Sequence, residues 1–223
     1  NQVVDTAGNG QDAPVPVVTK SDKPVVELFV MSYCPYGLQM EKAYLPAWEL
    51  LKNKANFSIK FVSYAMHGQK EIEENTRQYC IQSEQPDKFI PYMKAFVAKD
   101  DYQSALAVAG VNVGKMNACV AGTDSKFGTM VKFQDQSTWL SGRYPVYPVN
   151  ADLNDKYGVQ GSPTLIINGA EAQAGRTPEA VKQAICAAFN NPPAECATTL
   201  SATSAVAGFG VGAGADTGTA ACE

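Results

Sequence analysis

Apolar positions change period several times along the chain. Val25-Val26-Glu27-Leu28-Phe29-Val30 is a short, almost wholly apolar run of strand formers, which predicts a buried strand. Cys34-Pro35 follows, and Leu38, Glu41, Leu45, Trp48 and Leu51 then recur at helical spacing. Pro35 falls at the first helical position, where its missing N–H is not needed. Pro46 lies inside the same helix and is expected to kink it. Phe57 to Tyr64 predicts a second strand. From Lys70 to Phe133 the pattern is helical, through Ile72, Tyr79 and Ile81 and then Phe89, Tyr92, Met93, Phe96 and Val97. Asn150 to Tyr157 predicts a short helix stopped at Gly158. Thr164 to Ile167 with the Asn168-Gly169 pair predicts a β-hairpin, because both turn residues tolerate positive φ. Thr177-Pro178-Glu179 supplies a cap, a first-turn proline and an acid, opening a last helix through Phe189. The order is β-α-β, a helical insertion over about 68–148, then β-β-α: an α/β domain spanning 24–190.

The two ends differ from this middle. Residues 1–23 are rich in Gly, Asp, Pro and Val without a period and read as a tether. Residues 191–223 are a low-complexity tail, and Thr198 to Ala221 holds a single aromatic, Phe209. Composition predicts that this tail is flexible, a means of assembly through the ends. The chain has 223 residues, 45% of them apolar, enough for one substantial core. A net charge of −4, a pI near 5.1 and no basic stripe argue against a nucleic-acid partner. The one like-charge cluster, Glu71 to Glu74, reads as a solvated helix face. No window reaches about 18 consecutive apolar residues, so no transmembrane helix is predicted. The first residue is Asn1 and not methionine, which leads us to expect a removed signal or a membrane anchor upstream.

Six cysteines without a CxxC pair, and one histidine, weigh against a structural zinc site. Disulfides explain them better and point to an oxidising compartment: periplasmic, cell-surface or secreted. No metal and no cofactor is expected.

Two distant segments carry a family resemblance. Phe29-Val30-Met31-Ser32-Tyr33-Cys34-Pro35-Tyr36-Gly37 is a strand leading to a cysteine at a helix start, and Gly158-Val159-Gln160-Gly161-Ser162-Pro163-Thr164 is a turn leading into the hairpin. Together, over roughly Val25 to Phe189, they resemble the thioredoxin superfamily. The insertion makes the chain most similar to its DsbA-like branch, and the pattern Val26-Glu27-Leu28-Phe29 through Cys34, with cysteines at Cys80 and Cys119, also resembles the lysosomal thiol reductase group. The resemblance implies a cis-proline at Pro163 facing the sulfur of Cys34. It also implies a peptide-binding loop at Ser162-Pro163-Thr164, whose backbone pairs with a bound peptide. A thiol at a helix start meets unpaired N–H groups and the positive end of the helix dipole. These lower a cysteine pKa from about 8.5 toward ~3.5–7.5. The chain departs from the family at Cys34-Pro35-Tyr36-Gly37, where glycine replaces the usual resolving cysteine. Cys34 alone supports a one-cysteine cycle, a reductase or isomerase released by a small thiol or a redox partner.

The remaining cysteines allow several maps. Cys80 and Cys119 fall in the insertion and would staple it, contributing roughly 4 kcal/mol in the chain-entropy model. With Cys34 free, one of the other five is left over. The preferred arrangement ties Cys222 to Cys186 or Cys196, and the functional alternative has Cys222 reach Cys34 as a distant resolving cysteine. A flexible tail weighs against that alternative. His67 stands past the second strand, at the sheet edge shared with Cys34. It reads as a solvated loop histidine beside a core methionine. Sharper readings are a thiolate partner for Cys34, or a copper(I) site of Cys34, His67 and Met31 or Met66. Met40 and Met66 read as packing. Asn56-Phe57-Ser58 is a glycosylation triplet, and Tyr33, Tyr36, Tyr144 and Tyr147 are candidates to ring the site. The leading function is thiol–disulfide exchange on protein or peptide partners. The alternatives are a redox-silent structural or binding subunit and a copper(I) carrier.

Overall fold

The computed structural model describes residues 18–223. The tether expected over 1–23 therefore lies outside the described residues as far as residue 17. The strand β1 (Val25–Val30) is buried from Val26 onward and sits inside a four-stranded sheet. The helix α1 (Pro35–Leu51) crosses over to β2 (Asn56–Phe61), which runs parallel to β1. Such a parallel pair needs a crossover of this kind. The helices α2 (Gln69–Glu84), α3 (Pro86–Ala98), α4 (Tyr102–Ala109), α5 (Val113–Phe127) and α6 (Thr129–Gln134) follow. Then come α7 (Ala151–Tyr157), β3 (Thr164–Ile167), β4 (Ala170–Glu171) and α8 (Pro178–Ala187). β3 lies antiparallel on the other edge of β1, and the hairpin turn to β4 has φ of 50° at Asn168 and 82° at Gly169.

Alternation along β1 divides the core. Val26, Leu28 and Val30 pack with Leu38, Val181 and Ile185 from α1 and α8. Phe29 and Ile166 pack on the other face, with Leu153 and Tyr157 of α7 beside them. The outer edge of β2 meets side-chain amides in place of another strand. Gln82 Oε1 accepts from Ile59 N, Asn150 Oδ1 from Phe61 N and Asn154 Oδ1 from Ser63 N, at 2.7, 3.0 and 3.2 Å. β2 ends at Phe61, short of the expected Tyr64, and these amides cover its outer edge from Ile59 onward.

The helical stretch expected over 70–133 is broken into five helices. Gln85 precedes Pro86, and a residue before proline disfavours helix. Gly110 and Gly128 end α4 and α5 in the left-handed conformation at φ 64°. α2 is wedged between β2 and the rest of the insertion, which corrects the solvated-face reading of Glu71 to Glu74. Glu71 and Glu74 are fully buried, and Glu73 alone of the three is exposed. Glu74 accepts from Tyr92 Oη at 2.7 Å and Gln78 Nε2 at 3.0 Å and is paired with Arg77. A buried carboxylate needs partners of this kind.

The C-terminal tail also departs from expectation. Residues 198–223 have no regular structure, yet they are bonded along their length to α8 and α1. Lys182 Nζ donates to Thr198 O, and Leu200 N donates to Glu179 Oε2, at 2.6 and 2.7 Å. Gln39 and Lys42 of α1 take over further along. We call 198–223 the arm. Composition suggests slack chain here because small residues bury little apolar area. What holds the arm is its backbone carbonyls, which composition does not reveal.

Glu41 of α1 is fully buried and neither carboxylate oxygen has a hydrogen-bond partner among the described residues. Burial, reinforced by Glu74, pushes its pKa well up, and Lys42 only partly opposes this. A carboxyl whose folded pKa is raised favours folding while protonated, and that stability is lost as pH rises from the unfolded value near about 4.3 toward the folded one. Glu41→Gln should therefore match wild type in melting temperature at pH 4. Above about pH 5 it should become the more stable protein, with a gap that widens through the folded pKa. Thermal unfolding across pH 4–8 measures this, and a constant gap would show that Glu41 does not titrate as described.

Candidate active site

Cys34 is the N-cap of α1 and is fully buried. Its Sγ accepts from Gly37 N at 3.4 Å, so the sulfur takes one of the N–H groups that a helix start leaves unpaired. Pro35 occupies the first helical position. On the facing loop the Ser162–Pro163 peptide is cis. The Ser162 carbonyl oxygen lies 3.3 Å from Cys34 Sγ. Ser162 Oγ accepts from Met31 N at 2.9 Å, and Thr164 Oγ1 donates to Gly161 O at 2.9 Å. The loop is thus tied both to the end of β1 and to itself.

Cys34 is not a lone thiol. Its sulfur is bonded to that of Cys222, across a sequence separation of 188 and a Cα–Cα distance of 6.1 Å. Cys186 and Cys196 form a second bond and Cys80 and Cys119 a third, which leaves no free cysteine among the described residues. Two expectations are corrected together. Cys222 is tied neither to Cys186 nor to Cys196, and no odd cysteine is left over. The reason is distance along the chain: Cys186 ends α8 only ten residues before Cys196, so the two close a short staple at the root of the arm.

The last residues of the arm lie against the loop as a strand would. Cys222 N donates to Ser162 O at 2.8 Å and Ser162 N donates to Cys222 O at 2.9 Å, an antiparallel bridge. Gly161 allows this approach, since a Cβ there would stand 2.8 Å from Cys222 O. Arg176 donates from its guanidinium to Thr217 Oγ1 and to Ala220 O, with its positive charge 5.6 Å from the centre of the Tyr36 ring.

Solved structures share this architecture. Reduced DsbA from Mycobacterium tuberculosis superposes with a TM-score of 0.51 at 19% identity, covering 80% of this chain and 93% of that one. The reduced disulfide bond oxidoreductase DsbG from the same organism gives 0.53 at 18%, covering 80% and 88%. The fold is the DsbA-like thioredoxin fold. No protein-family model and no curated protein matches the sequence.

Within that fold, His67 is not brought to the sulfur by any hydrogen bond. Its Nδ1 lies 2.6 Å from Glu71 Oε2. Glu71 also accepts from Met66 N and His67 N through Oε1 and from Tyr33 N through Oε2. One buried carboxylate therefore joins the His67 loop to the turn just before Cys34. Of the donors in the copper(I) reading, Cys34 is held in its disulfide and the His67 ring is bonded through Nδ1 alone, and no group of three or more His, Cys, Asp or Glu side chains is poised for a metal among the described residues. Tyr36 and Tyr144 pack beside the Cys34–Cys222 pair, whereas Tyr147 is buried with the main core. Sequence reasoning missed Glu71, Gln39, Lys42 and Arg176, and weighed Cys222 as the less favoured partner. The only local signal for Cys222 was a cysteine one residue from the end of a tail with no other reason to hold one.

The structure also gives a reason for the glycine in the motif. A Cβ at residue 37 would lie 2.6 Å from Ser162 Oγ and 3.3 Å from Met31 O. Ser162 Oγ is pinned by Met31 N and is buried, so it has little room to yield. Position 37 accepts no side chain while Ser162 is in place, and a partner for Cys34 has to arrive from elsewhere. In an ordinary helix Gly→Ala stabilises by roughly 1 kcal/mol. Gly37→Ala should instead destabilise by about 1–3 kcal/mol, the usual range for overpacking a core. Chemical denaturation of the oxidised protein measures it, and a gain in stability would refute the steric account.

Proposed function

We propose that this chain carries out thiol–disulfide exchange on protein or peptide partners, with Cys34–Cys222 as the bond that opens and closes. The observation that carries this reading is the placement of Cys222. It is bonded to the sulfur that caps α1, and its backbone pairs with Ser162 as a peptide strand would. Likeness to the M. tuberculosis oxidoreductases DsbA and DsbG supports the same chemistry by analogy. Six cysteines in three bonds support an extracytoplasmic setting.

The exchange balances without a cofactor. In the reducing direction the Cys34 thiolate, stabilised at the start of α1, attacks one sulfur of a substrate disulfide. A Cys34–substrate bond forms and the other substrate sulfur leaves as a thiolate. The Cys222 thiolate then attacks Cys34 Sγ, expels the first substrate sulfur and restores Cys34–Cys222. The substrate gains two electrons, the cysteine pair loses two, and a small thiol or a redox partner resets it. Oxidation of a substrate dithiol is the same path reversed. Cys222 thus does the work of the missing cysteine at position 37, and the one-cysteine cycle is replaced by a two-cysteine one. In this reading Pro35, Tyr36 and Gly37 shape the thiolate site, and Ser162, Pro163 and Thr164 form the peptide edge.

One observation favours a second reading. Cys34 has no solvent exposure, and an arm closed over it for good would make the bond a structural staple in a redox-silent protein. Trapping separates the two. Reduced Cys222→Ser, given a disulfide-linked peptide, should accumulate a mixed disulfide at Cys34 that wild type resolves. Cys34→Ser should form none. If Cys222→Ser traps no peptide while remaining folded, the staple reading replaces the exchange reading.

A further inference from the structure

Two side chains on α1 have every side-chain donor taken by the arm. Lys42 Nζ donates to the carbonyls of Val206, Gly208 and Gly210, at 2.7, 2.7 and 3.1 Å. Those three bonds use all three ammonium protons. Gln39 is fully buried. Its Nε2 donates to Ala205 O and Ala215 O at 2.7 and 2.8 Å, and its Oε1 accepts from Thr217 Oγ1 at 2.6 Å. Phe209, the one aromatic of the arm, sits edge-on to Tyr33 and Phe96 at 5.5 and 5.2 Å. The arm also bonds to the helix that starts at Cys34, through Gly208 N to Pro35 O at 2.8 Å. Between these anchors the chain turns through Gly212, at φ 123°, and past the last of them, Thr217, through Gly218, at φ 59°, before reaching Cys222. The arm has a fixed root and a short end hinged at Gly218.

We propose that Gln39 and Lys42 are positioning residues that keep Cys222 beside Cys34 after their bond opens, and thereby set the redox potential of the pair. The proposal rests on the exchange reading above. Without Gln39 and Lys42 the arm is still rooted by the Cys186–Cys196 bond and by Glu179 at Leu200, and Cys222 would hang 22 residues beyond that last anchor. With Gly210 held by Lys42 and Thr217 by Gln39, the free span to Cys222 shrinks to five residues. By the three-halves power of loop length, the effective concentration of Cys222 at Cys34 rises about ninefold. This favours the disulfide over the open pair by the same factor, roughly 30 mV for a two-electron couple. It also speeds the step in which the Cys222 thiolate attacks Cys34 Sγ and expels the substrate sulfur. An incoming peptide displaces Cys222 from Ser162 as the end past Thr217 gives up the Arg176 bond to Ala220 and swings aside, without unseating the root.

The test uses the full chain equilibrated in glutathione buffers, with each cysteine alkylated and mapped by mass. Lys42→Met should lower the equilibrium constant for closing Cys34–Cys222 about threefold, an upward shift of ~14 mV, and Gln39→Ala with Lys42→Met should approach the ninefold limit. Lys42→Arg, which keeps the charge and the donors, should recover most of the loss. Closing of Cys186–Cys196 is the internal control and should not move. Phe209→Ala, a change in the arm alone, should shift the constant in the same direction and serves where an α1 variant fails to fold. A constant within twofold of wild type in both the double variant and Phe209→Ala overturns the positioning role and leaves the exchange reading intact. A wild-type Cys34–Cys222 bond that does not equilibrate with glutathione in the folded protein overturns both.

Discussion

Ser162 is held in place by several constraints that meet on one residue. Its hydroxyl is fixed by Met31 N at the end of β1, its backbone pairs with Cys222, its carbonyl oxygen stands 3.3 Å from Cys34 Sγ, and its peptide to Pro163 is cis. The same hydroxyl fills the space above Gly37. Move Ser162, and the turn before α1, the seat of the sulfur and the landing place of the arm all lose their reference point. The steric exclusion at position 37 and the arrival of a remote cysteine are two sides of that one arrangement.

The arm turns a weakness of composition into a precise fit. Small residues leave backbone carbonyls uncovered, and an uncovered carbonyl is a strong acceptor that must find a donor when buried. α1 and the loop before α8 supply those donors as Gln39, Lys42 and Arg176. The specificity of the contact therefore lies in the receiving surface, and the arm contributes Phe209, a few glycines and the terminal cysteine. The staple from Cys186 to Cys196 fixes where the arm leaves α8. The result is a segment of the same chain that pairs with Ser162 as an antiparallel strand would.

Much of this was legible in the chain because the signals are local. β1 announced itself as a run of strand formers, α1 by Pro35 and the spacing from Leu38 to Leu51, and the hairpin by Asn168-Gly169. The cysteine before Pro35 and the Ser162-Pro163 loop were readable as a pair. The bonding of Cys222 was not, because nothing in the arm's sequence encodes acceptors: every residue has a carbonyl. The burial of Glu71 and Glu74 escaped for a related reason. Their helical positions are ordinary, and only the packing of α2 between β2 and the insertion covers them. The breaks at Pro86, Gly110 and Gly128 were available to sequence reasoning, and the helical stretch was read through them too smoothly.

The central claim is that Cys34–Cys222, and neither of the other two disulfides, is the bond that does chemistry. It is tested most directly in a single turnover. Oxidised protein is mixed with one equivalent of a reduced dithiol peptide, quenched by alkylation within seconds and mapped by mass. The account predicts label on Cys34 and Cys222 together, an oxidised peptide in equal amount, and Cys80, Cys119, Cys186 and Cys196 still paired. An unlabelled Cys34, or label spread over all six cysteines, would contradict it.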